Sequence, residues 1–595
     1  MYQLKEIRIL NFKSIDYVIV KFSKNKTVFV GKNNAGKSNI LKAIALFFSG
    51  NHKEITVENF NDRSKDIVLE ADILQNNNSI ITLKIIAKIV DNKVVVKYEE
   101  NYDAKQRKNI SEFLKKINFI YIPGDRNSYN RNNSWYTKIL DLILENKKES
   151  IESQDIFRNL ENILKSVKSV LPKEKNTKFS TSLSHLNETN FSILKNDDNE
   201  IMRNLDEIIK KEENKSDIRN FDDLTIGTKN FVLMALFDLY LKSIRGVTKS
   251  DTFKIFIIEE PENFLHPHSI RLIDKLLQDI AEVENTQIIY STHANELVSN
   301  FKKDKFEIDS LRFVYKMSGF TKVKQIENKY GDYDKIMINL MFKNTDVFFS
   351  DAVILVEGET EKISIPNIYE YWPWNEQDLK DCSLEKCSKY LGQNKVNDFF
   401  NLDLKNIAVI DVGGKGALAD WYEFCSELLG KKNVFAIIDR DANFYEDKRN
   451  IERAIKRVYK VHAREERYID FNWIILDGEF ENYYKAEKIK EYLGTVLKER
   501  YKDDYLTKKE INHLIYKLDH LKITKKISVS YEKLFKTYLR GYGKPTIAFN
   551  LCIWLCENNG YKKGLIDILK NILYKVEKNR NIGGNEEVVH HSYFK

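Results

Sequence analysis

A glycine-rich loop near the N-terminus constrains this chain more than any other feature. The run TVFVG (Thr27 to Gly31) is short and β-branched, GKNNAGKS follows from Gly31 to Ser38, and NILKAIALFF then has the apolar spacing of a buried helix. Strand, loop and helix in that order are what a phosphate-binding P-loop requires, and they imply an α/β surround. Gly31 and Gly36 let successive backbone N–H groups turn inward on phosphates, with Asn33 and Asn34 between them in the loop. Lys37 reaches the terminal phosphates and Ser38 offers its hydroxyl to Mg²⁺, so the expected cofactor is ATP with its metal.

A second segment supplies what such a loop needs. IFIIEEPE (Ile255 to Glu262) is an apolar strand ending in acids, where Glu259 can reach the metal and Glu260 can orient an attacking water. TQIIYSTHANEL (Thr286 to Leu297) is another buried strand, ending near His293, whose imidazole is placed to sense a terminal phosphate. His266 and His268, separated by Pro267 and without a cysteine neighbour, read as loop residues at a subunit contact rather than zinc ligands.

A different chemistry begins at Phe348. FFSDAVILVEGETEK ends an apolar strand at Glu357 and Gly358 and brings Glu361 to the start of a helix; IAVIDVGGKG (Ile407 to Gly416) and VFAIIDRDAN (Val434 to Asn443) follow. Three strands thus deliver acids or glycines at their C-terminal ends, where open α/β sheets place their sites. Asp439 and Asp441 can flank a metal with Glu357 and Glu361 opposite. Carboxylate oxygens suit Mg²⁺ or Mn²⁺, and paired metals stabilise both the attacking and leaving oxygens of a phosphodiester. Any one of these acidic pairs alone would be a solvated turn; their order after apolar strands argues for a site.

Composition sets outer bounds. At 595 residues the chain exceeds one hydrophobic core, so a boundary should separate the two motif sets. Seven prolines and 22 glycines argue against long low-complexity stretches, and a formal charge of +8 permits nucleic-acid binding without demanding it. Five scattered cysteines suit a reducing compartment; Cys552 and Cys556 fit an apolar helix face better than a zinc site. No apolar run approaches the roughly 20 residues that span a bilayer, so the expectation is a cytoplasmic protein without membrane contact. The segment from Lys448 to Tyr468 is basic and aromatic; it could track a DNA backbone or equally be a solvated helix face, because acids interleave with it.

The first motif set resembles ATP-binding-cassette ATPases of the kind found in DNA-repair proteins. The resemblance implies dimeric heads with ATP between them, capped by a signature loop; DDLTIGTKNFVLMALFDLYL (Asp222 to Leu241) occupies that position with Thr225, Gly227 and Thr228 in place of the serine-glycine-glycine form. Condensin-like relatives insert long coiled coils between these motifs, whereas here roughly 220 residues intervene without sustained heptads. We therefore expect an ATPase domain over 1–345, with a helical dimerisation module inserted at 125–220.

The second set, EGxxE, a glycine pair and DxD, resembles the Toprim domain. An ABC-type ATPase followed by Toprim is the arrangement of the OLD (overcoming lysogenization defect) family nucleases, which include the nuclease subunit of Gabija-type antiphage systems. This resemblance implies a Toprim domain over 346–595 with helical additions, a further acidic segment in WIILDGEFENYY with Asp477 and Glu481 as favoured metal ligands, and Lys544 as a lysine that neutralises the transition-state phosphate. It implies an ATP-regulated, metal-dependent DNA endonuclease, homodimeric or tetrameric through its ATPase domain, acting against phage. Relatives act alone, beside a UvrD-like helicase, or with a retron reverse transcriptase and its DNA and RNA. Two other readings fit the motifs: topoisomerase or primase chemistry on the same Toprim core, and a non-catalytic ATP-dependent DNA-binding scaffold.

Overall fold

The computed structural model describes residues 2–49, 54–75, 79–91, 93–98, 116–126, 226–244, 252–265, 267–299, 310–325, 344–380, 396–440, 444–500 and 544–582, with isolated positions between them. The chain forms two compact units, Met1–Glu327 and Asn328–Lys595. Most of the expected 125–220 insert, together with Thr225, His266, Asp441, Cys382 and Cys387, lies outside the described residues.

The first unit contains β1 (Gln3–Phe12), β2 (Ile15–Lys21), β3 (Lys26–Val30), β4 (Ile67–Leu74), β5 (Ile80–Val90), β6 (Lys93–Tyr98), β7 (Ile117–Ile122), β8 (Phe253–Glu259), β9 (Thr286–Ser291), β10 (Leu311–Met317) and β11 (Phe320–Gln325). Strands β2-β1-β4-β5-β6 form an antiparallel sheet, and its alternating sequence follows from having only one face on the core: β4 alternates buried and half-buried positions along its whole length. The other sheet, β11-β10-β3-β9-β8-β7, is parallel except for β11. Its central strands are covered on both sides, so β9 is buried at all six positions and reads as an unbroken run. Helix α1 (Lys37–Ser49) follows β3 directly and sinks Ile40, Leu41 and Ile44 into a core shared with Ile7, Ile255 and Ile289. Helices α2 (Ile226–Ser243) and α3 (Pro267–Ala281) precede and follow β8. The proline at the first position of α3 lacks only an N–H that no helical carbonyl would have accepted, and His268 falls in that first turn rather than in a loop.

The second unit is built on four parallel strands, β12 (Ala352–Val356), β13 (Ile407–Asp411), β14 (Val434–Ile438) and β15 (Trp473–Ile475), in the order β13-β12-β14-β15. Around them lie α4 (Glu359–Tyr371), α5 (Lys415–Leu429), α6 (Phe444–Tyr459), α7 (Ala486–Arg500), α8 (Lys544–Glu557) and α9 (Lys563–Ile582). One core joins Ile354, Phe435 and Ile474 of the sheet to Ile365 of α4, Leu555 of α8 and Leu569 of α9. Cys552 and Cys556 are buried in it. The last helix is fastened by a buried ion pair, Lys405 Nζ to Glu577 Oε1 at 2.7 Å, with Arg580 bridging Glu577 and Asp351. No helix among the described residues is long and apolar enough to cross a membrane.

Candidate nucleotide and carboxylate sites

The loop between β3 and α1 has the backbone that phosphate binding needs. Gly31 has φ +141° and a Cβ there would lie 2.1 Å from the Val314 carbonyl oxygen; Gly36 has φ +108° and its Cβ would strike the Thr321 side chain. No larger residue fits either position. Asn33, Asn34 and Ser38 are exposed along the loop and first helical turn. The Lys37 ammonium donates to the carbonyls of Gly31 (2.8 Å) and Lys32 (2.9 Å). Burial pulls its pKa down to about 8, against the attraction of Glu260 and Glu262.

The acids at the end of β8 divide into distinct environments. Glu259 Oε1 accepts from the Tyr121 hydroxyl at 2.6 Å; burial pushes this carboxyl upward, countered by donors from Tyr121, the Gly124 N–H and Ser38. Glu260 turns the other way. Its two oxygens face His293 Nε2 at 3.5 Å and Asn263 Nδ2 at 2.8 Å, and the His293 hydrogen bond, with Asn263 and Lys37, holds its pKa down to about 2. Glu262, passed over in the sequence, accepts from Thr292 (2.9 Å) and from the backbone N–H groups of His293 (2.6 Å) and Ala294 (3.2 Å), which anchors the β9 end beside the acid strand. Arg126, also passed over, sits fully buried beneath these acids. Gly227 and Thr228 fall in the first turn of α2.

In the second unit the C-terminal edge of the sheet gathers Glu357, Glu361, Asp439 and Glu481. Glu357, one residue past β12, accepts from the Asp439 N–H at 2.6 Å and so ties the ends of β12 and β14 together. Glu361 lies in the first turn of α4. Burial, with the repulsion of Glu481 and Glu357, pushes its pKa up to about 7; burial with Glu357, Glu361 and Glu481 pushes Asp439 up to about 8. Lys415, at the start of α5, sits among them: its Nζ donates to the Asp439 carbonyl at 2.8 Å and stands 3.6 Å from Glu357 and 3.7 Å from Asp447. The sequence showed this lysine only as part of a glycine motif. Of the acids after β15, Glu481 joins the cluster, whereas Asp477 is exposed on the loop, its N–H donating to the Tyr483 hydroxyl. Lys544 is the first residue of α8 and its side chain, like Asp441, lies outside the described residues.

Among the described residues, no three His, Cys, Asp or Glu side chains stand close enough together to grip an ion as placed. The donor set nevertheless fits a hard divalent cation. It consists of carboxylates alone, and their mutual repulsion in a buried pocket is what a cation relieves.

Beside this edge runs α6, whose outward face carries exposed Tyr445, Arg449, Arg453 and Lys456 on successive turns, with Lys460 exposed one residue past its end. The Arg449 guanidinium covers the Tyr445 ring at 5.3 Å.

Comparison with known proteins finds one domain-level match in each unit. Residues 26–299 match the family model for an AAA domain of AbiEii-toxin type (Type IV TA system), and residues 348–441 match that of the overcoming lysogenization defect protein-like TOPRIM domain. The Old nuclease of Escherichia phage P2 is 22% identical over 511 residues, covering 73% of this chain and 77% of that protein. Endonuclease GajA of Bacillus cereus is 22% identical over 479 residues, covering 60% and 69%. The solved C-terminal region of the Xanthomonas campestris pv. campestris OLD protein is 17% identical and covers 39% of this chain and 99% of its own, with a TM-score of 0.28. Fold and family models together define an ATPase module followed by a Toprim domain. The chain is similar to the Old nuclease and to endonuclease GajA across both modules, and its second module matches the OLD-like TOPRIM family model.

Proposed function

We propose that this chain is an ATP-regulated DNA endonuclease that hydrolyses phosphodiesters with Mg²⁺ or Mn²⁺ at Glu357, Glu361, Asp439 and Glu481. The observation that carries the reading is the crowding of these four carboxylates at the C-terminal edge of a parallel sheet, two of them with pKa values raised to about 7 and 8. The relatives named nuclease and endonuclease support the same class. Bound metal would supply Lewis acidity and a nucleophilic water at neutral pH. Within the protein, Glu357 and Asp439 form the rigid side of the pocket, because one side chain and one backbone group are already bonded to each other. Glu361 and Glu481 face them, and Asp441 and Lys544 complete the set that the motif order assigns. Lys415 holds the Glu357 carboxylate and the Asp439 backbone in register.

In the first unit the P-loop would bind ATP, Ser38 and Glu259 would hold its Mg²⁺, and Glu260 with His293 would serve the terminal phosphate. Nucleotide state gates cutting, with the ATPase unit as the oligomerisation surface. Cleavage of supercoiled plasmid with Mg²⁺ or Mn²⁺, with and without ATP, tests the reading. The intact protein should nick or cut DNA, and Asp439→Ala should lose about 100-fold or more of that activity while still retarding DNA in a gel. Equal cutting by both proteins would refute the site, and no cutting by the intact protein under any of these conditions would refute the activity.

A further inference from the structure

A fully buried arginine is costly unless its donors are used, and Arg126 makes four side-chain hydrogen bonds, two of them to the carbonyls of Glu259 and Glu260 at the end of the acid strand. The residue lies in the turn after β7. Its Nε donates to Asn230 Oδ1 of α2 at 2.6 Å, Nη1 to the carbonyls of Pro123 (2.6 Å) and Glu259 (2.7 Å), and Nη2 to the carbonyl of Glu260 at 2.8 Å. Burial lowers its pKa to about 10, so it stays cationic at neutral pH beneath Glu259, Glu260 and Glu262.

The network closes on the Glu260 carboxylate. Asn230 Nδ2 donates to the Asn263 carbonyl, the Asn263 N–H donates to the Glu260 carbonyl at 3.1 Å, and Asn263 Nδ2 donates to Glu260 Oε2 at 2.8 Å. Glu260 has φ +43°, a left-handed conformation that a glutamate adopts only when its surroundings impose it. The carbonyls clamped by the guanidinium lie on both sides of that strained bond. A planar fork can hold several diverging acceptors in fixed geometry; a lysine cannot.

We infer that Arg126, anchored by Asn230, is a positioning residue for nucleotide turnover, clamping the backbone at Glu259 and Glu260 so that Glu260 keeps its left-handed turn and its carboxylate stays between His293 and Asn263. The same bonds transmit the placement of α2 to that acid. The inference rests on the reading of the first unit as an ATP-hydrolysing site.

Arg126→Lys, Arg126→Gln and the milder Asn230→Ala test it in the full-length protein, each measured for ATP affinity, for kcat of ATP hydrolysis and for Tm. Loss of alignment at one acid should lower kcat about 10- to 100-fold in the Arg126 variants, with ATP Kd changed by less than about twofold. Asn230→Ala, which removes one anchor and leaves the clamp, should fall in the same direction by less. Unchanged kcat in folded Arg126 variants would overturn the inference. So would a parallel fall of kcat, ATP affinity and Tm in all three proteins, since that is the signature of a merely structural residue. An intact protein that binds ATP without turning it over would instead remove the hydrolysis reading, and the inference with it.

Discussion

At the scale of single residues, the carboxylate pocket trades stability for function. Glu361 ordinarily titrates near 4.5 and is raised to about 7 in the folded protein, mainly by burial. A carboxyl raised in this way costs nothing at pH values below its unfolded pKa and exerts its full penalty above the folded one. With divalent ions chelated, the protein should therefore lose stability as pH climbs from about 4.5 through about 7. Glu361→Gln removes that ionisation. We expect it to raise the Tm of the chelated protein at pH 8, corresponding to roughly 1–3 kcal/mol, and to change it little at pH 5. Cleavage should be abolished in the same variant. A lower Tm at pH 8 would mean that the Glu361 carboxylate is satisfied by its surroundings and is not under repulsion. The residues that sequence inspection finds most readily are those with a local pattern, such as Gly31, Gly36 and Lys37. Arg126 and Lys415 escape it because their roles come from carbonyls and acids that tertiary structure brings to them. The acceptors of Arg126 lie up to 134 positions away. The one local signal was a lone arginine after Pro123 and Gly124, too common a string to single out.

At the scale of elements, the strands around both sites were legible because parallel strands covered on two faces need apolar side chains at nearly every position; β9, β12 and β14 are buried throughout. Sheet order was not legible, since β13 precedes β14 in sequence yet lies on the opposite side of β12. The antiparallel sheet was missed as well, and of the acids after β15 it is packing that brings Glu481 to the cluster. Helix α6 was read two ways in the sequence, as a DNA track or a solvated face. Two of its acids turn away from its cations, Glu452 accepting from the Tyr468 hydroxyl and Asp447 buried toward Lys415, while the exposed turns present Arg449, Arg453 and Lys456, with Glu446 exposed beside them and Lys460 just past the helix end. A cationic stripe with an aromatic at one end suits a phosphate backbone. Arg449→Glu combined with Lys456→Glu should weaken DNA binding by about tenfold or more at low salt and flatten the dependence of log K on log salt, while α6 stays folded by far-ultraviolet circular dichroism. Unchanged affinity and salt slope would leave α6 as a solvated helix.

At the scale of the whole molecule, two chemistries share one chain. The first unit has two sheets and the second has one, and each unit has its own core and acid cluster, so the nucleotide site and the carboxylate site can be disabled separately. Lys37 is the residue with which to separate them: it is buried in the P-loop, bonded to Gly31 and Lys32, and belongs wholly to the first unit. Lys37→Ala removes the cation that would meet the terminal phosphates without touching any residue of the second unit. If nucleotide state gates cutting, this variant should lose ATP binding by about 100-fold and cleave DNA at one rate with or without ATP. That rate reveals the sign of the gate. A variant fixed at the fast rate means that ATP restrains the nuclease, and one fixed at the slow rate means that ATP releases it. A variant that no longer binds ATP in the P-loop yet still responds to ATP in cleavage would show that the nucleotide acts elsewhere, for instance by chelating the metal that the carboxylates require, and the two units would then be neighbours in sequence without being coupled in function.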